Sequence, residues 1–187
     1  MAHQAGLTPW IPFYKRTLQN GTWNPNVYSQ TQKPGFERQV ATGLYINDAY
    51  TDSMYAQILR STLGPKKYEY SDLCYYFTQK ILEKQIGQKQ HTYLEKEIYR
   101  PMGLRYMRYL PLEHFDKAHI IPTENDQVFR KQLLHGFVHD PGAAMMGGVA
   151  GHAGLFSNAT DLAALMQFLL NKGQIGDQSI IKKEIVD

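Results

Sequence analysis

The run Gly147-Gly148-Val149-Ala150-Gly151-His152-Ala153-Gly154 constrains this chain more than any other stretch. Four glycines in eight residues require a backbone that bends sharply or passes close to another group. The character then changes at once. Ser157 or Asn158 is placed to cap a helix, and Asp161 falls in its first turn, where a carboxylate suits the free amide end. Leu162, Leu165, Met166, Leu169 and Leu170 follow at i, i+3, i+4, i+7 and i+8, which predicts one core-facing apolar stripe. Asn171-Lys172-Gly173 reads as its stop, with Gly173 available for a left-handed C′ position. Local physics is satisfied by a structural corner, so any further role for this run needs other residues.

The rest of the chain divides less sharply. Residues 8–35 hold Pro9, Pro12, Pro25 and Pro34 with Gly21 and Gly35, and read as a long loop region carrying Trp10, Phe13, Tyr14, Trp23 and Tyr28. Gln39 to Asn47 alternates as a short strand. Thr51 or Asp52 caps a helix carrying Met54, Tyr55, Ile58 and Leu59, closed by Gly64-Pro65. Ser71 or Asp72 opens a longer helix with Leu73, Tyr76, Phe77 and Ile81 inward, ending near Gly87. Thr92 and Glu95 form a capping-box pair for a third helix reaching Arg100, stopped by Pro101-Met102-Gly103. Residues 104–140 are irregular, with strand candidates at 106–110 and 119–122.

Composition excludes several classes. The charge of +3 is spread along 187 residues without a basic stripe, so nucleic acid is not a partner to expect. The single Cys74 cannot build a disulfide framework. No run approaches the length of a membrane span, and no apolar signal segment is visible.

Three patterns are candidates for chemistry. Tyr70-Ser71-Asp72 stands at a helix start, where free amides favour an anion. Bringing a phenol from about 10 to near 7 takes about 4 kcal/mol, whereas a helix end supplies about 0.3–1 kcal/mol. Tyr70 therefore needs a neighbouring cation to act as a base, and no local lysine is an obvious one; a tyrosine packed over a helix cap satisfies the motif equally. His114, His119, His135, His139 and His152 include one i, i+4 pair, but Gly136 interrupts it and no third ligand is evident, so no metal site is expected. Ser179-Ile180-Ile181-Lys182 has the Ser-x-x-Lys spacing that places a hydroxyl and an amine on one helical face, although its polar surroundings suit a helix cap better.

Taken in order, these motifs resemble the serine β-lactamase and penicillin-binding-protein-like family, in its class C and esterase branch. His3-Gln4-Ala5-Gly6-Leu7 is similar to the family's His-x-Ser-Gly-Leu turn, Tyr70-Ser71-Asp72 to its Tyr-x-Asn motif, and Pro101-Met102-Gly103-Leu104 to its Pro-Leu-Gly-Met helix end. Gly148 to Asp161 is similar to its Gly-Gly-Leu-x-Ser-Thr-Ala-x-Asp-Leu corner. Pro122 to Asp126, Val138-His139-Asp140 and Gly147 to Ser157 narrow the resemblance to the variant fused to a family 3 glycoside hydrolase, a β-N-acetylhexosaminidase.

The resemblance implies an α+β, predominantly helical fold: the helical lobe of a β-lactamase/transpeptidase-like domain with an incomplete sheet. Residues 1–187 are then a single partial domain, with the acylating serine, its lysine and the oxyanion strand outside them. It implies acyl transfer or hydrolysis on cell-wall-like amides or esters in the parent protein, a glycan or peptidoglycan-like substrate, no cofactor, a periplasmic or secreted location, and an inert fragment. Tyr70 would match the family's general base. Asp72 departs from the family's Asn, and an ionised carboxylate cannot donate the amide hydrogen bond. The alternative is a non-catalytic module that positions glycan, with Trp10, Trp23 and Tyr28 stacking on sugar. Glycosidase chemistry needs two carboxylates at a set separation, and no acidic pair stands out. A lobe lacking its sheet strands should expose apolar surface and self-associate.

Overall fold

The structure is a computed structural model and describes residues 2–186. A 3-10 turn at Phe13–Thr17 leads into a hairpin of β1 (Leu18–Gln19) and β2 (Thr22–Trp23). Next come β3 (Tyr28–Ser29), β4 (Arg38–Ala41) and β5 (Leu44–Ile46), which pair antiparallel in the order β3-β5-β4. Helices α1 (Tyr50–Leu59), α2 (Leu73–Ile86) and α3 (Gln90–Leu94) follow, and α3 continues as a π-helical turn over Glu95–Tyr99. A second hairpin, β6 (Glu124–Asp126) with β7 (Gln132–Leu134), precedes the short α4 (Pro141–Met145). The chain closes with α5 (Ala159–Leu170), the hairpin of β8 (Gln174–Ile175) and β9 (Gln178–Ser179), and α6 (Lys183–Val186). Helices dominate, and the strands form only small separate sheets among the described residues. This is the expected α+β lobe without an extended sheet.

The core sits between β3–β5, α1, the first half of α2, and α4. Val40, Ala41, Leu44, Ile46, Met54, Ile58, Leu73, Tyr76, Phe129, Leu134 and Met145 are all buried in it. A smaller cluster of Tyr99, Leu104 and Met107 lies under the π-helical turn, with Leu165 of α5 packed against it.

Several expectations hold locally. Gly87 ends α2 in the left-handed conformation, φ +71°, with its N–H on the Glu83 carbonyl. The Asn158 side chain caps α5 by accepting from the Asp161 N–H at 2.8 Å. Ser71 Oγ accepts from the Leu73 N–H at the start of α2.

Others are corrected. The single strand expected over 39–47 is two strands, because the chain turns tightly at Gly43, φ +65°. Helix α1 ends near Leu59, before Gly64-Pro65, and its Ala49 cap residue has no side-chain cap. Thr92 lies inside α3, and Glu95 pairs with Arg100 and Arg108, so the capping box does not form. Ile81 is 56% exposed, and α2 buries Gln79 in its stead. The strand expected at 106–110 reduces to one bridge between Arg108 and Phe156, and the one expected at 119–122 does not form, since His119 closes a 3-10 turn (Lys117–His119) and 120–122 are irregular.

The largest departure is α5. Its buried face is Asp161, Leu165 and Phe168, while Leu162, Met166 and Leu169 are 40–48% exposed and Leu170 is 74% exposed. The rotation is set by Asp161, whose carboxylate accepts from the backbone N–H groups of Tyr106 (2.6 Å) and Met107 (3.1 Å). Sewing that end of the helix to residues 106–107 turns most of the leucine stripe outward.

Candidate active face

The N-terminal segment lies along residues 64–71 and holds the Tyr70 turn from one side. The Gly64 N–H donates to the Gly6 carbonyl (2.7 Å), the Glu69 N–H to the His3 carbonyl (2.9 Å), and the Ser71 hydroxyl to the Thr8 carbonyl (2.8 Å). Gly6 cannot be replaced without disturbing this contact. Its φ is +73°, and a Cβ there would sit 2.5 Å from the Gly64 carbonyl oxygen. The missing side chain at Gly6 is thus the local reason that the His3–Leu7 turn can approach Gly64 and the segment leading into α2.

Tyr70 sits at the open edge of this clamp, 58% exposed. Its hydroxyl donates to Asp72 Oδ1 at 2.9 Å. That hydrogen bond, with the carboxylate's charge, holds the phenol above its ordinary value of 10. Asp72 thus works against a free tyrosinate, the opposite of what a helix amide end would do. The pair can still move a proton: Tyr70 can pass its own to Asp72 while accepting one from an incoming hydroxyl. The sequence brought Tyr70 and Asp72 forward, and the structure places them in direct contact.

The glycine corner supports the same helix from behind. Gln79 of α2 donates to the Val149 carbonyl and accepts from the Gly151 N–H, each at 3.1 Å. A Cβ on Gly151 would lie 2.5 Å from the Tyr75 carbonyl oxygen, so the corner rests directly on the α2 backbone. His152 stacks on Tyr76, 4.6 Å between ring centroids, and its Nε2 lies 3.0 Å from Asp140 Oδ1. Asp140 also caps α4 by accepting from the Ala143 N–H. Burial alone would raise Asp140, but His152 and that N–H outweigh it and hold the carboxyl below its usual range. The corner is therefore a brace that fixes α2 and α4 relative to one another.

Arg130 was not anticipated. It is fully buried, and donates to Asp126 Oδ2 (2.8 Å), Glu124 Oε2 (3.3 Å), and the carbonyls of Val138 and His139 (2.6 Å each). Asp126 also accepts from the N–H groups of Val128, Phe129 and Arg130. Burial would raise Asp126; the Arg130 guanidinium and these amides reverse that and lower it. The only sequence signal was an arginine directly after Val128-Phe129 and four residues beyond Asp126.

The remaining expected sites disperse. Ser179 lies in β9, exposed, with its hydroxyl donating to the Ile181 carbonyl, and α6 begins only after Lys182, so Ser179 and Lys182 share no helical face. His135 contacts the Ile120 carbonyl and His139 lies near Glu124, so the two rings serve different partners. His114 stands beside Phe115, 6.2 Å between ring centroids, while His119 ends a 3-10 turn. Of the three expected sugar-stacking aromatics, Tyr28 is buried against Thr17, and Trp23 donates its indole N–H to the Phe129 carbonyl. Only Trp10 is open, at 51% exposed. An apolar groove of about 1070 Å³ runs beside α5, lined by Tyr106, Phe115, Ile121, Pro122, Phe156 and Leu162, and neither Tyr70 nor Asp72 lines it.

The family model described as Beta-lactamase matches residues 1–186. An Escherichia coli K12 protein named "Putative D-alanyl-D-alanine carboxypeptidase" is 38% identical over 165 residues, covering 76% of this chain and 38% of that protein. The N-acetylmuramyl-L-alanine amidase of Bacillus subtilis 168 is 39% identical over 133 residues, covering 65% of this chain and 30% of the amidase. Among solved structures, the octameric penicillin-binding protein homologue from Pyrococcus abyssi superposes with a TM-score of 0.59 at 19% identity, over 99% of this chain and 36% of that one. This last likeness concerns the fold alone. The chain spans well under half the length of the curated relatives it matches.

Proposed function

The chain belongs to the beta-lactamase family, and from that premise we propose that it is the helical lobe of a serine hydrolase acting on amide bonds of cell-wall-like substrates. In this reading the Tyr70–Asp72 pair handles the proton of a serine nucleophile contributed from outside residues 1–187. The observation that carries it is the pair itself: a hydroxyl on a carboxylate, on an open face, braced from behind by the glycine corner. The relatives named for D-alanyl-D-alanine and muramyl-alanine amides support the substrate class.

The exposed stripe of α5, with four large apolar side chains 40–74% exposed, supports the partial-domain reading. The 187-residue chain alone is then inert and self-associates through that stripe. The full parent works outside the cytoplasm, and its fusion to a family 3 β-N-acetylhexosaminidase belongs to the same proposal. The burial of Tyr28 and the hydrogen-bonded Trp23 leave the glycan-positioning alternative with little surface.

The test is covalent. A fluorescent acylating β-lactam or fluorophosphonate should label the longer parent and leave the 187-residue chain unlabelled on a denaturing gel. No label on either protein would remove the hydrolase reading; label on the chain itself would remove the external nucleophile.

A further inference from the structure

His3 is bound into the Tyr70 turn more closely than its place in a surface segment requires. Its backbone is in the left-handed region, φ +50°, which a side-chain-bearing residue rarely adopts. The conformation is held by the Glu69 N–H on its carbonyl. The side chain then reaches the residue between Tyr70 and Asp72: Nδ1 lies 3.2 Å from the Ser71 N and 3.1 Å from the Ser71 O. One ring nitrogen thus has an acceptor role toward the amide and a donor role toward the carbonyl, and finds a partner on Ser71 in either tautomer. The ring itself lies against Tyr70, 4.5 Å between centroids and tilted by 31°. Tyr68 and Tyr75 meet it edge-on at 6.1 and 5.8 Å.

We propose that His3 is a positioning residue for the Tyr70–Asp72 pair: its ring fixes the plane of the Tyr70 phenol, and its Nδ1 fixes the Ser71 backbone that sets the distance from Tyr70 to Asp72. The proposal deepens the hydrolase reading above and rests on it for its functional meaning. Its physical content is independent of any nucleophile. Tyr70 is more than half exposed, so nothing but its neighbours on this face restrains its rotamer. Remove the imidazole and the phenol gains freedom to leave Asp72, at little cost to the distant core.

Tyr70 itself reports the outcome. Its phenol is held above the ordinary value chiefly by the bond to Asp72, so releasing it lowers the titration midpoint. The measurement is ultraviolet phenolate titration of the 187-residue chain, with a Tyr70→Phe variant subtracted to isolate the one tyrosine. His3→Ala should move that midpoint down toward 10, and His3→Asn, whose amide oxygen restores an acceptor for the Ser71 N–H, should recover part of the shift. Asp72→Asn gives the lower reference. If His3→Ala does not fold by circular dichroism, His3→Phe, which retains the ring contact, is read instead, and a smaller fall in the same direction is expected. A folded variant whose Tyr70 titrates where it does in the native chain overturns the proposal. Because no acylation is involved, this result stands or falls separately from the labelling experiment.

Discussion

Replacing Gly154 by alanine tests whether the glycine corner is a load of close backbone contacts or merely a flexible connection. Gly154 has φ +114°, outside the range that L side chains adopt readily, and a Cβ there would lie 2.2 Å from the Gly148 carbonyl oxygen and 3.2 Å from a ring carbon of Tyr109. The backbone term costs about 1–2 kcal/mol, and forcing a methyl into a packed site about 1–3 kcal/mol. The sum, about 2–5 kcal/mol, is a large part of the about 5–15 kcal/mol that holds a typical domain. For a chain of this size it corresponds to a fall in melting temperature of about 4–20 °C. Gly151→Ala separates the two terms. Gly151 carries no unusual φ, and its Cβ would press on Tyr75, 2.5 Å from the carbonyl oxygen and 3.3 Å from the Tyr75 Cβ, so about 1–3 kcal/mol is expected. Urea titration of both variants gives the numbers. Equal losses would show that the φ term is absent, and a Gly154→Ala loss within about 0.5 kcal/mol of zero, the range of ordinary surface changes, would refute the reasoning.

Three further outcomes follow from the same contacts. Arg130→Ala should cost about 3–5 kcal/mol by denaturant titration, because it strands the buried Asp126 carboxylate and two carbonyls; a loss under about 1 kcal/mol would contradict that. Asp126 and Asp140 are both lowered in the folded state, so their contribution is present above the ordinary carboxylate value and is lost as pH falls through their folded values. Stability should therefore decline below about pH 4, and Asp126→Asn should flatten the decline; an unchanged acid limb would count against the assignment. Replacing Met166 by Glu and Leu169 by Lys should shift the isolated chain toward monomer in light scattering, and an association unchanged by these substitutions would place the contact elsewhere.

What the sequence made legible was local. Asn158 as a cap, Gly87 as a helix stop and the bend at 147–154 each depend on one residue and its immediate neighbours, and each is found as expected. Tyr70 and Asp72 were visible as a pair two positions apart. The phase of α5 was not, because hydrophobic periodicity cannot foresee that a carboxylate at its first turn, Asp161, bonds to backbone amides 55 and 54 residues earlier and turns the leucines outward. The same limit hid Gln79, a polar residue buried by its bonds to Val149 and Gly151, and Arg130, whose partners gather around it only after the β6–β7 hairpin closes. The π-helical turn at Glu95–Tyr99 left no mark in the spacing of apolar residues. His3 could be read as part of a turn, but its reach to Ser71 is a contact across 68 positions.

The most direct test of the central claim is the acylation rate of the full parent protein with Tyr70 changed to phenylalanine. If Tyr70 moves the nucleophile's proton, labelling should slow by about 10²–10⁴-fold, the usual contribution of a positioned acid or base, while the fold is retained. Labelling at the native rate in a folded Tyr70→Phe parent would contradict the account and leave Tyr70 as a tyrosine resting over a helix cap.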